Sequence, residues 1–209
     1  MSNDSKEQQP LRLGILASGR GSNAQAIHAV IQSGALLSVS IAAIASNKKN
    51  APVLAWAEDT RLPCEAFDNK DFQSRELQEA SIIKYFKNQG VNLVVLAGYM
   101  RIVSPDFIEA FGGQVLNIHP SLLPKHGGPG MVGHKVHSAV LAAGDTESGC
   151  TVHWVTPTVD GGPIVWQERV PVLPGDNPDT LAARVLAAEH QAYPLSLQQL
   201  ASQPYAFAL

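Results

Sequence analysis

The seven residues Val91–Ala97 are apolar on both faces of the strand that they would form. A strand with one face in water alternates polar and apolar residues, whereas a parallel strand covered by helices on both sides does not. Apolar runs of a similar kind recur at Leu11–Ala17, Leu37–Ser46 and Val115–Ile118, and segments with helical spacing separate them. This alternation predicts an α/β fold, in which a mostly parallel twisted sheet carries helices on both faces.

Several segments between these runs carry the spacing or the boundary residues of helices. Gly90, for example, ends the helix that precedes the run Val91–Ala97. The predicted helices are Ala24–Ser33, Ala51–Thr60, Asp71–Phe86, Pro105–Phe111, His134–Ala143 and a last helix that begins at Asn177–Asp179, and a short strand is predicted at Pro63–Phe67.

The C-terminal part differs in character, because Gly149–Val155 and Gly162–Val172 have the composition of strands and only a short turn joins them. That turn is too short for a helical crossover, so the two strands are predicted to pair antiparallel at one edge of the sheet. We expect Pro194 to disturb the far end of the last helix. The predicted inner face of that helix consists of Leu181, Val185, Ala188 and Ala192.

The composition limits the classes of function. A chain of 209 residues with 45% hydrophobic residues can bury one sizeable core, so we predict a single domain at 11–209 after a disordered segment at 1–10. The net charge is −3, which gives no positive field for a nucleic acid backbone. No apolar run reaches the ~18 residues of a membrane span, and the polar start lacks the apolar core of a signal peptide. We therefore expect a cytoplasmic protein.

The two cysteines, Cys64 and Cys150, do not have the spacing of metal ligands. A disulfide bond between them is not expected in the cytoplasm. The expected partners are small molecules, without nucleic acid or membrane, and the chain would act as a monomer or a homodimer.

Polar side chains occupy the end of the apolar run that begins at Val115. Asn117 and His119 alternate with apolar residues, so a strand would project both from one face, and Pro120 ends the strand because it has no N–H for the sheet ladder. An amide donor beside a titratable imidazole suits a reaction with a developing oxyanion and a moving proton. The same two side chains could instead satisfy backbone groups at a strand end.

A carboxylate stands in another loop, the turn Asp160–Pro163. The antiparallel edge could bring Asp160 back to the end of the sheet that carries His119. A carboxylate beside an imidazole fixes the tautomer of the ring and favours its protonated form. The sequence alone leaves open whether Asp160 reaches His119.

The turn after the first strand contains Gly19, Gly21 and Ala24 in a loose form of the dinucleotide fingerprint. That fingerprint also requires an acidic residue at the end of the second strand, where this chain has Ser46-Asn47-Lys48. We interpret Gly21-Ser22-Asn23 as a loop that binds the phosphate of a mononucleotide-like group. The alternative is a tight turn without a ligand.

The remaining candidates are less specific. His134 and His137 would share a helical face, but they lack a third metal ligand, and His153 alternates with apolar residues on a strand and is interpreted as structural. Glu189 lies four residues after Val185, at the edge of the apolar helix face. It is either a solvated residue or a carboxylate turned toward the hydroxyl groups of a ligand.

Four motifs together closely resemble the folate-dependent phosphoribosylglycinamide formyltransferases of purine biosynthesis. The similarity extends from Leu11 to about Pro194, with the motifs in the order of the family. The motifs are Gly19–Asn23, Leu96–Ile102, Asn117–Pro124 and Asp160–Pro163.

This resemblance implies a Rossmann-like formyltransferase fold. The implied reaction is direct transfer of a formyl group from the co-substrate 10-formyltetrahydrofolate to the glycyl amine of phosphoribosylglycinamide, with no metal ion. Asn117 would donate to the oxygen of a tetrahedral intermediate, and His119 would stabilise that oxygen or pass a proton toward the departing folate nitrogen. Asp160 would orient His119 and help to order a water molecule.

The resemblance also assigns roles by motif position. The implied catalytic residues are Asn117, His119 and Asp160. The implied substrate residues are Gly21, Ser22 and Asn23 for the phosphate and Glu189 for the ribose. The implied folate residues are Met100, Arg101, Ile102, Val103, Arg75 and again Asn117.

One segment departs from the commonest pattern of the family. After Leu-Leu-Pro-Lys, most members continue with a short turn such as Pro-Gly-Leu, whereas this chain has the longer run His126–Gly133. A variant form with Gly-Gly-x-Gly-Met also belongs to the family. We assign the run no contact with folate.

Three other functions are consistent with parts of the pattern. Another formyl-folate enzyme could use the same catalytic domain, but methionyl-tRNA formyltransferases add a basic C-terminal domain and formyltetrahydrofolate hydrolases add an N-terminal regulatory domain, and neither is expected in 209 residues. A nicotinamide oxidoreductase is disfavoured by the missing acidic ribose ligand. A binding module without catalysis would bind both ligands without turnover.

Overall fold

The computed structural model describes residues 9–202 of the chain. The predicted disordered segment 1–10 therefore lies outside the described residues, apart from Gln9 and Pro10. The strands are β1 (Leu11–Ala17), β2 (Val39–Ser46), β3 (Cys64–Ala66), β4 (Leu93–Leu96), β5 (Val115–His119), β6 (Glu147–Trp154) and β7 (Ile164–Pro171). The α-helices are α1 (Ser22–Gln32), α2 (Pro52–Asp59), α3 (Arg75–Asn88), α4 (Pro105–Ala110), α5 (His134–Ala142) and α6 (Pro178–Ser202).

The strands form one sheet in the order β3-β2-β1-β4-β5-β6-β7. Strands β1 to β5 are parallel to their neighbours, and β6 and β7 continue the sheet antiparallel beyond β5. The chain moves from β1 to β2 and β3 on one side and then returns to β4 on the other side of β1. Open α/β sheets bind their ligands where the strand order reverses in this way, at the carboxyl ends of the strands.

The sheet separates two hydrophobic cores, as the apolar runs predict. Leu13 and Ile15 of β1 face a core that also contains residues of α1, α2 and α6. Leu16 and Val94 face the opposite core, which contains residues of α3 and α4. The structure therefore confirms the predicted α/β fold with helices on both faces and an antiparallel C-terminal edge.

Some boundaries differ from the prediction. Helix α1 begins at Ser22, two residues earlier than predicted, because Gly21 in a left-handed conformation serves as its N-cap. Helix α3 begins at Arg75 rather than at Asp71, since the side chain of Ser74 caps its first turn and a short 3-10 helix precedes it.

Helix α6 continues through Pro194 to Ser202, whereas the sequence predicts a disturbance there. A proline removes one hydrogen bond from a helix interior. Burial of apolar residues on both sides of Pro194 offsets this loss, because the predicted inner face is buried and extends further. The buried residues of this face are Leu181, Val185, Ala188, Ala192, Tyr193, Leu197 and Leu200.

Two further observations bear on the predicted class of protein. Within residues 9–202, none of the helices combines the length and the apolarity that a membrane crossing requires. Cys64 and Cys150 are free thiols in the structure.

Candidate active site

A cavity of about 300 Å³ opens at the carboxyl ends of β4 and β5, beside the first turn of α1. Its volume is at the lower end of the range of small-molecule sites. Strand alternation explains why Asn117 and His119 of β5 share a face, and both side chains line the cavity. Leu116 lies in a core, and Ile118 packs in the same core and also borders the cavity.

His119, buried at the end of β5, uses both ring nitrogens. Its Nε2 lies 2.9 Å from the backbone oxygen of His126, and since a carbonyl oxygen only accepts, this nitrogen carries a hydrogen. Its Nδ1 lies 3.5 Å from Oδ2 of Asp160. A neutral imidazole therefore turns a lone pair toward the carboxylate, and a protonated imidazole turns an N–H toward it.

Asp160 reaches the site from the turn between β6 and β7. Its backbone has a φ of 54°, a left-handed conformation that aspartate tolerates better than most residues. The backbone N–H of Gly128 donates to Oδ2 at 2.9 Å, and Oδ1 lies 3.7 Å from Nε2 of His153. The Gly128 N–H thus holds the carboxylate, which lies between the rings of His119 and His153.

Asn117 is oriented by His153, its partner across β5 and β6. Nδ1 of His153 donates to the backbone oxygen of Trp154 at 3.0 Å, so Nε2 of the neutral ring is an acceptor. Nδ2 of Asn117 donates to this Nε2 at 3.1 Å. Burial lowers the pKa of His153, although the Trp154 carbonyl and Asp160 act in the opposite direction, and the ring is therefore kept neutral. One N–H of the Asn117 amide remains for a ligand.

At one end of the cavity, Asn23 and Glu189 form a buried polar pair. Nδ2 of Asn23 donates to Oε2 of Glu189 at 2.8 Å, and Oδ1 of Asn23 is buried without a hydrogen-bond partner in the described structure. Burial raises the pKa of Glu189, and the hydrogen bond from Asn23 opposes that effect. Because both residues line the cavity, this end offers acceptors to a ligand with donors such as hydroxyl groups.

The predicted phosphate loop is the start of α1. Gly21 has a φ of 70°, and a Cβ at this position would overlap the side chain of Val53, so glycine is required for structural reasons as well. No side chain caps α1 and its first turn contains no acidic residue, which leaves N–H groups available to an anion. Asn23 lines the cavity, whereas Gly21 and Ser22 lie outside its wall.

The other end of the cavity is apolar and open. Met100, Ile102 and Val103 line it, together with Val132 from the run His126–Gly133. Met100 and Ile102 are 59% and 57% exposed, values that are high for large apolar side chains. Exposed apolar side chains around a concave surface are typical of a binding site for a ligand with an apolar body.

Two arginines flank this apolar end. Arg101 lines the cavity and donates to Oε1 of Gln78 at 2.9 Å. Arg75 lies outside the cavity wall, where its Nε pairs with Glu79 at 2.9 Å and another of its N–H groups donates to the backbone oxygen of Ile102. Arg75 therefore supports the segment 100–103 from outside.

Sequence reasoning missed two contributors to the site. His153, interpreted as structural, lines the cavity and holds Asn117, and only the register of β6 against β5 reveals this. The run His126–Gly133, for which the sequence predicts no folate contact, contributes Gly128, Gly130, Met131, Val132 and Gly133 to the wall.

His134 and His137 lie outside the cavity wall. His137 is buried, which lowers its pKa, and His134 is exposed with its Nε2 3.4 Å from a carboxylate oxygen of Asp179. In the part of the chain that the structure describes, no three His, Cys, Asp or Glu side chains are grouped as metal ligands would be.

The arrangement suits chemistry at a carbonyl carbon. Asn117 offers a fixed N–H donor to an oxygen that becomes negative, and His119 offers a group that exchanges protons. Asp160 fixes the imidazole from one side and the His126 carbonyl fixes it from the other. The polar end with Asn23 and the apolar end with Met100 give the cavity room for two chemically different ligand parts.

Comparison with known proteins gives concordant results. The model of the formyl transferase family matches residues 11–197. Phosphoribosylglycinamide formyltransferase of Haemophilus influenzae is 40% identical over 187 residues, which are 90% of this chain and 85% of that protein. The solved structure of glycinamide ribonucleotide transformylase 1 from Symbiobacterium toebii superposes with a TM-score of 0.87 at 37% identity, covering 94% of this chain and 90% of that one.

Some relatives are much longer. The trifunctional purine biosynthetic protein adenosine-3 of Drosophila pseudoobscura pseudoobscura is 43% identical over 192 residues, or 91% of this chain. The match spans only 14% of the length of that relative. The similarity to the trifunctional protein is thus confined to a region of the size of this chain.

Proposed function

Since the chain belongs to the formyl transferase family, we propose that it transfers the formyl group of 10-formyltetrahydrofolate to the amine of phosphoribosylglycinamide, a step of purine biosynthesis. The names of its relatives support this choice of acceptor, and the family supports a formyl-folate as the donor. We also propose that the protein is cytoplasmic, that it is a monomer or a homodimer, and that its partners are small molecules and not nucleic acid.

The observation that carries the proposal is the convergence of Asn117, His119 and Asp160 in one cavity with a polar end and an apolar end. A donor with a pterin ring and an acceptor with a sugar phosphate have this same contrast in polarity. The three side chains line the same cavity, and the formyl carbon and the attacking amine would have to meet beside them.

Our proposed mechanism is direct acyl transfer. The free N–H of Asn117 donates to the formyl oxygen as the amine adds to the formyl carbon and that oxygen becomes negative. His119, protonated and held by Asp160, stabilises the same charge and passes a proton, directly or through a water molecule, toward the folate nitrogen as the carbon–nitrogen bond breaks. The amine gives up one proton over the reaction, so a proton returns to the enzyme and the atoms balance.

We assign the polar end to the acceptor. The acceptor oxygens of Glu189 and Asn23 match the two hydroxyl groups of a ribose, each of which donates one hydrogen bond. The start of α1, with the backbone N–H groups of Gly21, Ser22 and Asn23, would take the phosphate, because these groups and the helix dipole favour an anion.

We assign the apolar end to the folate. Met100, Ile102 and Val103 would cover the pterin, and Arg101 and Arg75 would attract the negative charge of the glutamate portion. Asn117 would contact the donor as well, through the formyl oxygen. Arg75 reaches a ligand only if it leaves Glu79 or binds beyond the cavity wall, so its contribution is expected to be smaller than that of Arg101.

The test is a mass-spectrometric assay of purified protein with 10-formyltetrahydrofolate, with and without phosphoribosylglycinamide. We expect formylated product that requires the acceptor. Formate release that is independent of the acceptor would replace the proposal with a hydrolase. An absence of turnover with both ligands bound would replace it with a binding module.

A further inference from the structure

One short backbone segment contacts both members of the His119–Asp160 pair. The backbone oxygen of His126 accepts from Nε2 of His119 at 2.9 Å, and the backbone N–H of Gly128 donates to Oδ2 of Asp160 at 2.9 Å. Between them, Gly127 approaches so closely that a Cβ would overlap the side chain of Leu123. The orientation of the imidazole therefore depends on where this segment is held.

The segment is held by Asp145, which lies between α5 and β6 and outside the cavity wall. Oδ2 of Asp145 lies 2.7 Å from Nε2 of His126, and Oδ1 lies 2.9 Å from Nζ of Lys125. These hydrogen bonds lower the pKa of Asp145, so the residue is a carboxylate at neutral pH. Neither Asp145 nor the side chain of His126 lines the catalytic cavity.

The contact with His126 is the better protected of the two. The side chains of His126 and Asp145 are 17% and 19% exposed, whereas that of Lys125 is 69% exposed. An exposed lysine pair is screened by water and contributes little. In addition, His126 has a φ of 53°, in the left-handed region that histidine adopts more often than most residues other than glycine but still uncommonly.

We infer that Asp145 and the side chain of His126 are positioning residues, which hold the His126 carbonyl against Nε2 of His119 and so fix the tautomer and the orientation of the catalytic imidazole. A carbonyl oxygen can only accept a hydrogen bond. In the neutral ring it therefore selects the tautomer with the hydrogen on Nε2, in which Nδ1 carries no hydrogen and faces Asp160. Without the anchor, the neutral ring can carry its hydrogen on Nδ1 and can rotate away. The catalytic role of His119 in this inference rests on the proposed function. The anchoring of the His126 carbonyl against Nε2 does not.

The test combines nitrogen NMR of the histidine rings with steady-state kinetics of the full chain. We expect His119 of the unsubstituted protein to be protonated at Nε2 in its neutral form, and Asp145→Asn to give a mixture of tautomers. We expect Asp145→Asn to lower kcat about 10-fold to 10²-fold, with each KM changed less than about threefold, because misplacement of a catalytic group affects the chemical step. The control Glu147→Gln removes an exposed ion pair with Arg169 near Asp145 and should change neither readout.

A matched pair of substitutions at His126 separates anchoring from loop packing. His126→Gln keeps a side-chain N–H donor and should retain most of the activity and the Nε2 tautomer, whereas His126→Leu has a similar size without a donor and should lose both. This pair also decides the question if Asp145→Asn does not fold. Equal behaviour of the two variants, or an unchanged His119 tautomer in folded Asp145→Asn, would overturn the inference.

The NMR readout does not depend on the reaction. If the protein transfers no formyl group but its variants change the His119 tautomer, the proposed function is rejected and the positioning role is supported. Formyl transfer with His119 in one unchanged tautomer in His126→Leu would reject the positioning role and support the proposed function.

Discussion

The two ends of the cavity differ in how far their side chains are already buried and hydrogen-bonded without a ligand. At the Glu189 end, the polar side chains are buried and joined by a hydrogen bond, and one acceptor is left unpaired. At the Met100 end, large apolar side chains are more than half exposed. The first end is a fixed set of acceptors, and the second is an apolar surface that a ligand would cover.

This difference predicts different kinds of selectivity. Unpaired buried acceptors discriminate strongly against a ligand without matching donors, because the acceptor then stays buried and unsatisfied. Apolar contacts discriminate weakly between ligands of similar shape. We therefore expect the polar end to determine which acceptor is used, while the apolar end contributes affinity for the donor.

The largest effect is expected between the ends, at Asn117. Asn117→Ala removes the donor to the developing oxyanion, and kcat should fall by on the order of 10² or more, as it does when other oxyanion donors are lost. Both KM values should change little, because neither end is altered. Steady-state kinetics with each substrate varied in turn provides the measurement.

Near-normal turnover of folded Asn117→Ala would contradict the assignment of the oxyanion donor. Circular dichroism and thermal unfolding establish whether the variant is folded. Because Asn117 is only half-buried, its truncation should leave a small cavity and a small loss of stability.

The next largest effect is expected at the polar end. Glu189→Gln should raise the KM for phosphoribosylglycinamide by roughly 10-fold to 10²-fold, the cost of losing a hydrogen bond to a charged group, and should leave the KM for the folate unchanged. Burial raises the pKa of Glu189 above its ordinary value of 4.5. At a pH above 4.5 the charged carboxylate therefore makes the folded state less stable relative to the unfolded state. The midpoint of thermal unfolding at neutral pH should therefore not decrease.

A lower unfolding temperature together with an unchanged acceptor KM would assign Glu189 to structure. A rise in both KM values would show that the two ends are not independent.

A smaller effect is expected at the apolar end. Ile102→Ala removes part of the apolar surface that the folate would cover, and the KM for the folate should rise about fivefold, as expected for roughly 1 kcal/mol of lost burial. Leu37→Ala is a matched control, because Leu37 is 90% exposed and lies away from the cavity wall. An equal effect of both substitutions, or an effect of Ile102→Ala on the acceptor KM, would contradict the division of the cavity.

The two ends were also not equally accessible to sequence reasoning. The fold follows from local patterns, because runs that are apolar on both faces have few alternatives to a covered parallel sheet, and β1 has the predicted bounds. Asn117 and His119 could be found because strand alternation and Pro120 place them within a few residues. Glu189 could only be described as a residue at the edge of a helix face, since its contact with Asn23 joins residues 166 positions apart.

The contacts that orient the catalytic side chains could not be predicted for two further reasons. His153 meets Asn117 through the register of β5 against β6, and register is a property of two strands rather than of either sequence. The contact of His119 with His126 uses a backbone oxygen, which every residue has, so the residue type does not predict it. Side-chain patterns therefore reveal the reacting groups more readily than the groups that position them.

The smallest predicted effect concerns stability, and it depends on three wholly or partly buried histidines, of which only His153 lines the cavity. Burial lowers the pKa of His137, His153 and His190 below the ordinary value of 6.5. In the unfolded chain these rings take up protons as the pH falls through about 6.5, while the folded protein resists until its lower pKa values are reached. The free energy of unfolding should therefore be greatest above pH 6.5 and decrease below it. Urea denaturation at a series of pH values measures this dependence, and the free energy of unfolding should vary less with pH in His137→Gln than in the unsubstituted protein. His134→Gln is the control and should alter the pH dependence less, since His134 is exposed on the same helix. An equal pH dependence in His137→Gln and in the unsubstituted protein would show that the buried ring is not the source.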